Sequence, residues 1–201
     1  MPTRVDHEQR RRQIAEALLR IAASRGLQAA SMREVAAEAG VSLRLVQYYF
    51  RSKDDLLLGS LPYLGERLTA RVQDRLQRLG APPAPRQVVK ALLFAVLPTD
   101  EESRAIRTTY DAFYSLVLTR PELAARYEAR DPAALERLLA QQVELSQQAG
   151  EIAADQDAGQ VAAVLLALTN GLGAGVIGGQ RTGDDASVVL RRHLDRLFSG
   201  R

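Results

Sequence analysis

Residues 31–58, SMREVAAEAGVSLRLVQYYFRSKDDLLL, leave this chain few ways to fold. They carry two short helical patterns joined at a glycine and followed by a third helix start. Ser31 stands three residues before Glu34, the spacing of a capping box: the hydroxyl accepts from the amide of residue 34 and the carboxylate reaches back to that of residue 31. Val35, Ala36 and Ala39 then form one apolar stripe. Gly40 sits where the helix must stop, and glycine tolerates the left-handed conformation of a tight turn. Ser42 caps the next helix, on which Val46, Tyr49 and Phe50 face inward with Val41. Leu43, Arg44, Gln47, Tyr48 and Arg51 fall on the opposite side. Ser52 begins another helix, with Asp54 and Asp55 in its first turn, where the helix dipole favours acids.

A helix-turn-helix can be a solvated hairpin, or it can present its second helix to the major groove of DNA. The outward residues suit the second use. Arginine bonds two acceptors on guanine, glutamine pairs with adenine, and an apolar side chain touches the thymine methyl. Tyrosine hydroxyls and Lys53 can hold phosphates, which sets register without reading sequence. The candidate DNA contacts are Arg33, Ser42, Leu43, Arg44, Gln47, Tyr48, Tyr49 and Lys53. Charge favours the DNA-binding use. Residues 1–53 hold ten Lys/Arg against five Asp/Glu, while the rest of the chain holds seventeen against nineteen. The net charge of +3 is thus concentrated in the first quarter, the footprint of a phosphate binder. Arginine outnumbers lysine 25 to 2, which a GC-rich genome would explain, but codon bias does not explain the segregation.

The run MREVAAEAGVS, then YYF, then SKDDLL, resembles the N-terminal domain of the TetR family of bacterial transcriptional regulators. Ala36, Ala39, Gly40, Val41, Ser42, Tyr49, Phe50, Ser52, Lys53 and Leu56 match the family pattern, and the close resemblance covers about residues 10–58. Arg44 and Gln47 depart from it, where the family often has a small residue and a tyrosine. Both lie on the DNA-facing side, so they bear on the operator rather than the fold. The resemblance implies a first helix packed over the hairpin. Ile14, Leu18, Ile21 and Ala22 give that helix its apolar face, Gly26 its end, and Arg10, Arg11 and Arg12 a basic start suited to the DNA backbone or minor groove.

The remainder reads as helix throughout. Leu56, Leu57, Leu64, Leu68, Val72, Leu76 and Leu79 continue one helix from Lys53 to Arg78, and the proline-rich segment 80–85 breaks it. Further helices are expected over 86–97, 101–119, 121–129, 132–149, 157–178 and 184–198. The predicted fold is all-α: a three-helix helix-turn-helix domain, 1–52, and a helical ligand-binding and dimerisation domain, 53–201. The segment 161–178 is apolar enough to suggest a membrane span, but Thr169, Asn170 and its glycines favour a helix buried against another subunit. The resemblance implies a homodimer through the last two helices, 157–178 and 184–198, on a pseudo-palindromic double-stranded operator. It also implies an unidentified small-molecule effector in the C-terminal domain. Phe94, Tyr110, Phe113, Tyr114 and Gln141 are the candidate ligand contacts, with Thr108, Thr109 and Tyr127 nearby in sequence or chemistry. The stretch AFYSLVLTRPELAARYEARD is similar to a C-terminal subtype found in some choline/betaine-type regulators, which by itself names no ligand.

Cysteine is absent, which excludes disulfides and thiolate metal sites. The two histidines, His7 and His193, lie near opposite ends, and no nucleophile set, phosphate loop or metal cluster is evident, so neither an enzyme nor a cofactor is expected. Met1-Pro2-Thr3 runs straight into charged residues, so a cytoplasmic location without a signal peptide is expected. The alternative function is an architectural or nonspecific DNA-binding protein without a ligand, held by phosphate contacts alone.

Overall fold

The computed structural model describes residues 4–79, 82–128 and 133–199. Among them are ten α-helices, one 3-10 turn and no strand: α1 (Arg4–Arg25), the 3-10 turn Leu27–Ala29, α2 (Met32–Ala39), α3 (Leu43–Tyr49), α4 (Lys53–Gln77), α5 (Pro85–Val96), α6 (Glu101–Thr119), α7 (Pro121–Glu128), α8 (Ala134–Gln148), α9 (Ala158–Ile177) and α10 (Gly183–Leu197). The all-α expectation holds, and from α4 onward the described helix ends fall within one or two residues of the expected ones, whereas α1 begins at Arg4, ahead of the cluster of Arg10, Arg11 and Arg12 expected to open it. The 3-10 turn was not anticipated; Gly26 precedes it at φ 80, where a side chain would be strained. The breaks expected at Gly80 and Pro132 lie outside the described residues.

The chain forms two compact units. The first comprises Met1–Arg67 and Thr108–Arg130, the second Leu68–Arg107 and Asp131–Arg201. The expected boundary at 52/53 falls inside the first unit, because the start of α4 and the α6–α7 corner share a core with the helix-turn-helix. Leu56, Leu57 and Leu58 of α4, Phe113 and Val117 of α6, and Leu123 and Tyr127 of α7 join Ile14, Leu18 and Ile21 of α1 with Val46 and Phe50. Gly59 marks the tightest approach: a Cβ there would lie 2.5 Å from Phe50 Cε1 and 3.1 Å from Arg11 Nη2.

The second unit is built on α5, α8, α9 and α10. Val89, Leu93 and Leu97 meet Leu139 and Val143, Ala162 and Leu165, and Leu190 and Leu194. Its helices start on local signals. Asp157 accepts from the Gln160 amide at 2.8 Å, and Thr182 and Asp185 form a two-way box, the Thr182 hydroxyl accepting from the Asp185 amide at 3.1 Å and the Asp185 carboxylate from the Thr182 amide at 3.3 Å. Among the described residues α9 is the one helix long and apolar enough to cross a membrane by length and composition. One side of it is packed against α5, α8 and α10. Thr169 is fully buried, its hydroxyl donating to the Leu165 carbonyl at 2.8 Å. Gly173 gives way to the buried Arg107, whose guanidinium donates to the Asn170 side chain and carbonyl, both at 3.1 Å.

Candidate nucleic-acid interface

The helix-turn-helix forms as its sequence dictates, with one difference. The Ser31 hydroxyl accepts from the Glu34 amide at 3.1 Å, but Glu34 does not reach back: its carboxylate meets Arg25 at 3.4 Å, and the Ser31 amide donates to Ala29 in the 3-10 turn instead. The unanticipated turn thus replaces half of the expected capping box. Gly40 adopts φ 65, and its left-handed conformation lets the Gly40 and Val41 amides satisfy the Ala37 and Ala36 carbonyls. Ser42 then caps α3 through the Leu45 amide at 3.2 Å, and Ser52 caps α4 through the Asp55 amide at 3.0 Å.

Burial sorts the faces of α3. Val46 and Phe50 are buried. Arg44, Gln47 and Tyr48 are exposed, as are Arg33 at the start of α2, Ser42 and Arg51. Leu43 and Lys53 are half-buried at the edge of this surface. Tyr49 is half-buried and does two jobs: its ring lies against the core, while its hydroxyl meets His7 Nδ1 at 3.1 Å. His7, Tyr48 and Tyr49 form an aromatic group, with the Tyr48 and Tyr49 rings edge-on at 5.2 Å. Sequence reasoning missed His7 as part of this surface, since its partners lie more than forty residues away and no local pattern links them.

The distribution of ion pairs is the most informative property of this unit. Arg12 pairs with Glu66, Arg20 with Glu38 and Arg25 with Glu34. Arg11 stacks over Phe50, 4.6 Å from the ring centroid. In contrast, Arg33, Arg44, Arg51 and Lys53 have no ion pair among the described residues, and α3 itself carries no acid. Three of the α1 arginines are thus neutralised by acids, whereas none of the four cations around α3 is. The arginine cluster expected to open the first helix instead lies about two turns inside α1, which begins at Arg4; Arg11 and Arg12 are engaged within the unit, and Arg10 bonds Gln13 at 2.8 Å.

Lys53 also neighbours two acids whose charge is answered from within the unit. Arg120 grips Asp54 with two hydrogen bonds of 2.8 and 2.6 Å, and Arg126 meets Asp55 at 2.5 Å. The Asp54 hydrogen bond, followed by that to Glu122, raises the Arg120 pKa. Burial works to raise the Asp55 carboxyl, but Arg126 and Ser52 outweigh it and lower its pKa. Burial of charge is thus outweighed at Asp55, and both acids are matched by arginines, so they offset little of the field of Lys53.

The candidate ligand residues fall in both units. In the first, Phe113 is buried edge-on to Tyr127 at 5.5 Å; Tyr110 and Tyr114 are exposed and stacked at 6.1 Å, and the Tyr110 and Tyr127 hydroxyls meet at 3.2 Å. Thr109 is buried and Thr108 half-buried. In the second, Phe94 packs on the core and lines a cavity, while Gln141 is exposed.

Residues 14–59 match the model of the tetR family of bacterial regulatory proteins, and residues 85–199 match that of the C-terminal region of BetI-type transcriptional repressors. The transcriptional regulator PksA of Bacillus subtilis is 40% identical over 103 residues, covering 51% of this chain and 49% of that protein. The regulator BetI of Rhizobium meliloti is 33% identical over 106 residues, covering 53% and 51%. The chain thus spans about half the length of these curated relatives. A transcriptional regulator from Rhodococcus sp. Rha1 superimposes with a TM-score of 0.73 at 28% identity, over 94% of this chain and 96% of that one. A Saccharomonospora viridis protein solved in complex with choline superimposes at 0.74 with 27% identity, over 94% and 95%. The chain belongs to the TetR family of bacterial regulatory proteins, and its C-terminal region is of the BetI repressor type.

Proposed function

We propose that the protein is a homodimeric transcriptional repressor that binds a pseudo-palindromic double-stranded operator and is released from it by a small-molecule ligand. The unpaired basic face around α3 carries this reading, because it sets exposed arginine and glutamine side chains in a field that attracts phosphate. Arg44 and Gln47 read bases; Arg33, Ser42, Tyr48, Tyr49 and Lys53 hold the backbone, and Leu43 offers an apolar contact.

The second copy is supported by two exposed apolar stripes. On α9, Val164, Ala167, Gly171, Ala174 and Ile177 repeat at three- and four-residue spacing and are all exposed. A Cβ added at Gly171 would meet nothing within 4 Å, so its smallness serves no contact among the described residues. On α10, Val188 and Val189 are 47% and 40% exposed. Pairing these helices with those of a second copy buries both stripes and sets two recognition helices about one helical turn of DNA apart, or a multiple of it. The ligand must bind the released conformation more tightly than the DNA-bound one, or it shifts nothing. The stacked faces of Tyr110 and Tyr114 suit an organic cation such as the choline held by the Saccharomonospora viridis protein.

Competition footprinting tests the DNA-reading proposal. A regulator protects one short palindrome at salt concentrations that strip nonspecific complexes; uniform protection that vanishes with salt would favour the architectural reading. A gel-shift titration with choline and other candidate metabolites tests release, and ligand binding without loss of DNA affinity would defeat it.

A further inference from the structure

The second unit holds a cavity of about 690 Å³ between the end of α4, one face of α5 from Arg86 to Phe94, and the middle of α10. Its wall is basic: Arg75, Arg78, Arg86, Lys90 and Arg191 line it beside Phe94, and no carboxylate does. Three of these cations are answered from the rim. Arg78 meets Asp74 at 2.7 Å, Arg86 meets Glu151 at 3.4 Å, and Lys90 meets Asp195 at 2.9 Å. Arg75 and Arg191 have no ion pair among the described residues. Arg75 is half-buried, and burial together with the neighbouring Arg71 and Arg78 charges lowers its pKa, so its charge is held at a cost. Arg191 lies over the Phe94 ring, 5.7 Å from its centroid.

We propose that this cavity binds an organic anion, with a phosphate or paired carboxylates between Arg75 and Arg191 and an apolar body against Phe94, Leu79 and Ala91. Three physical features point the same way. Two guanidinium groups without acids offer forked donors that match phosphate and carboxylate geometry. The volume suits a ligand of ordinary metabolite size. An anion relieves the repulsion that the clustered cations impose on one another, whereas a quaternary ammonium adds to it. The site goes beyond the operator-release proposal and does not depend on it, since it is measured without DNA.

Calorimetric titration of the full chain with 1-naphthyl phosphate, inorganic phosphate and naphthyl-trimethylammonium tests the assignment. Naphthyl phosphate is expected to bind more tightly than inorganic phosphate, with the ammonium probe showing no binding. Arg75→Gln and Arg191→Gln should each weaken naphthyl phosphate about tenfold, the loss expected for one charge-assisted contact, while the helical circular dichroism stays unchanged. In the unmutated protein the affinity should fall as sodium chloride rises. Equal affinity in all three proteins, salt-independent binding, or equal uptake of the ammonium probe overturns the proposal. Should a variant fail to fold, the charge-keeping Arg75→Lys and Arg191→Lys are titrated in its place, and unchanged naphthyl phosphate affinity in both overturns the proposal.

Discussion

Arg44 and Gln47 lie one turn apart on α3, exposed, and neither has a hydrogen bond or ion pair among the described residues. A side chain that bonds a base edge discriminates against the wrong base by about 1–3 kcal/mol. Arg44→Ala or Gln47→Ala is therefore expected to flatten the preference among single-base operator variants, read by competition binding. Lys53→Ala should instead weaken all sequences alike and reduce the salt dependence of binding. Unchanged preference in both of the first two variants would move the reading face elsewhere. Gly59 and Gly65, both on α4, give a paired test of packing. A Cβ at 59 runs into the Phe50 ring, whereas one at 65 meets nothing within 4 Å. Gly59→Ala should lower the unfolding free energy by about 1–3 kcal/mol through overpacking. Gly65→Ala should raise it by roughly 0.5–1 kcal/mol through helix propensity. Thermal melts showing the same sign for both would contradict the packing described.

At the scale of elements, ion pairs fasten the ends of α4. Near its start, Asp54 and Asp55 receive Arg120 and Arg126 from the α6–α7 corner, in the first unit. Arg120→Ala leaves the Asp54 charge unanswered one residue from Lys53, so DNA affinity should fall at low salt and approach that of the unmutated protein at high salt; a salt-independent loss would point to disrupted packing instead. In the second unit, Arg71 binds Asp100 and Glu102 at 2.6 and 2.7 Å. Burial raises the Asp100 pKa, but Arg71 and Ser103 overcome this and hold the carboxyl at about 2. A carboxyl depressed in the fold stabilises it above its unfolded value near 4 and loses that contribution as pH falls towards 2. Asp100→Asn should accordingly lower the melting temperature at pH 6 and have little effect near pH 2. These pairs mark where the sequence stopped being legible. Ser31, Gly40, Ser42 and Ser52 act on amides and carbonyls a few residues away, so their roles could be read from spacing. The pairing of Asp54 with Arg120 joins residues 66 apart and has no periodicity to betray it. For the same reason Phe113, read as a ligand contact, and Tyr127 could not be placed beneath the helix-turn-helix, and Phe94 could not be assigned to a basic cavity.

For the whole molecule, the decisive question is what covers the outer faces of α9 and α10. The inner side of α9 is satisfied within the chain: Ala162, Leu165, Leu172 and Val176 are buried in the second unit's core. Its outer side presents Val164, 56% exposed, in line with Ala167, Gly171 and Ala174. Small residues in such a stripe let a facing helix approach closely, so burying them returns dispersion contacts as well as apolar area. A like stripe on a second copy is complementary under two-fold symmetry, in which one patch meets itself. Val164→Glu combined with Val188→Glu places charge on both helices without touching either core. The double variant is expected to sediment as a monomer with unchanged helicity. Its affinity for the full palindrome should drop to that for a single half-site, because the second recognition helix no longer arrives with the first. A variant that remains dimeric, or that still distinguishes the palindrome from its half, would place the subunit contact on another face.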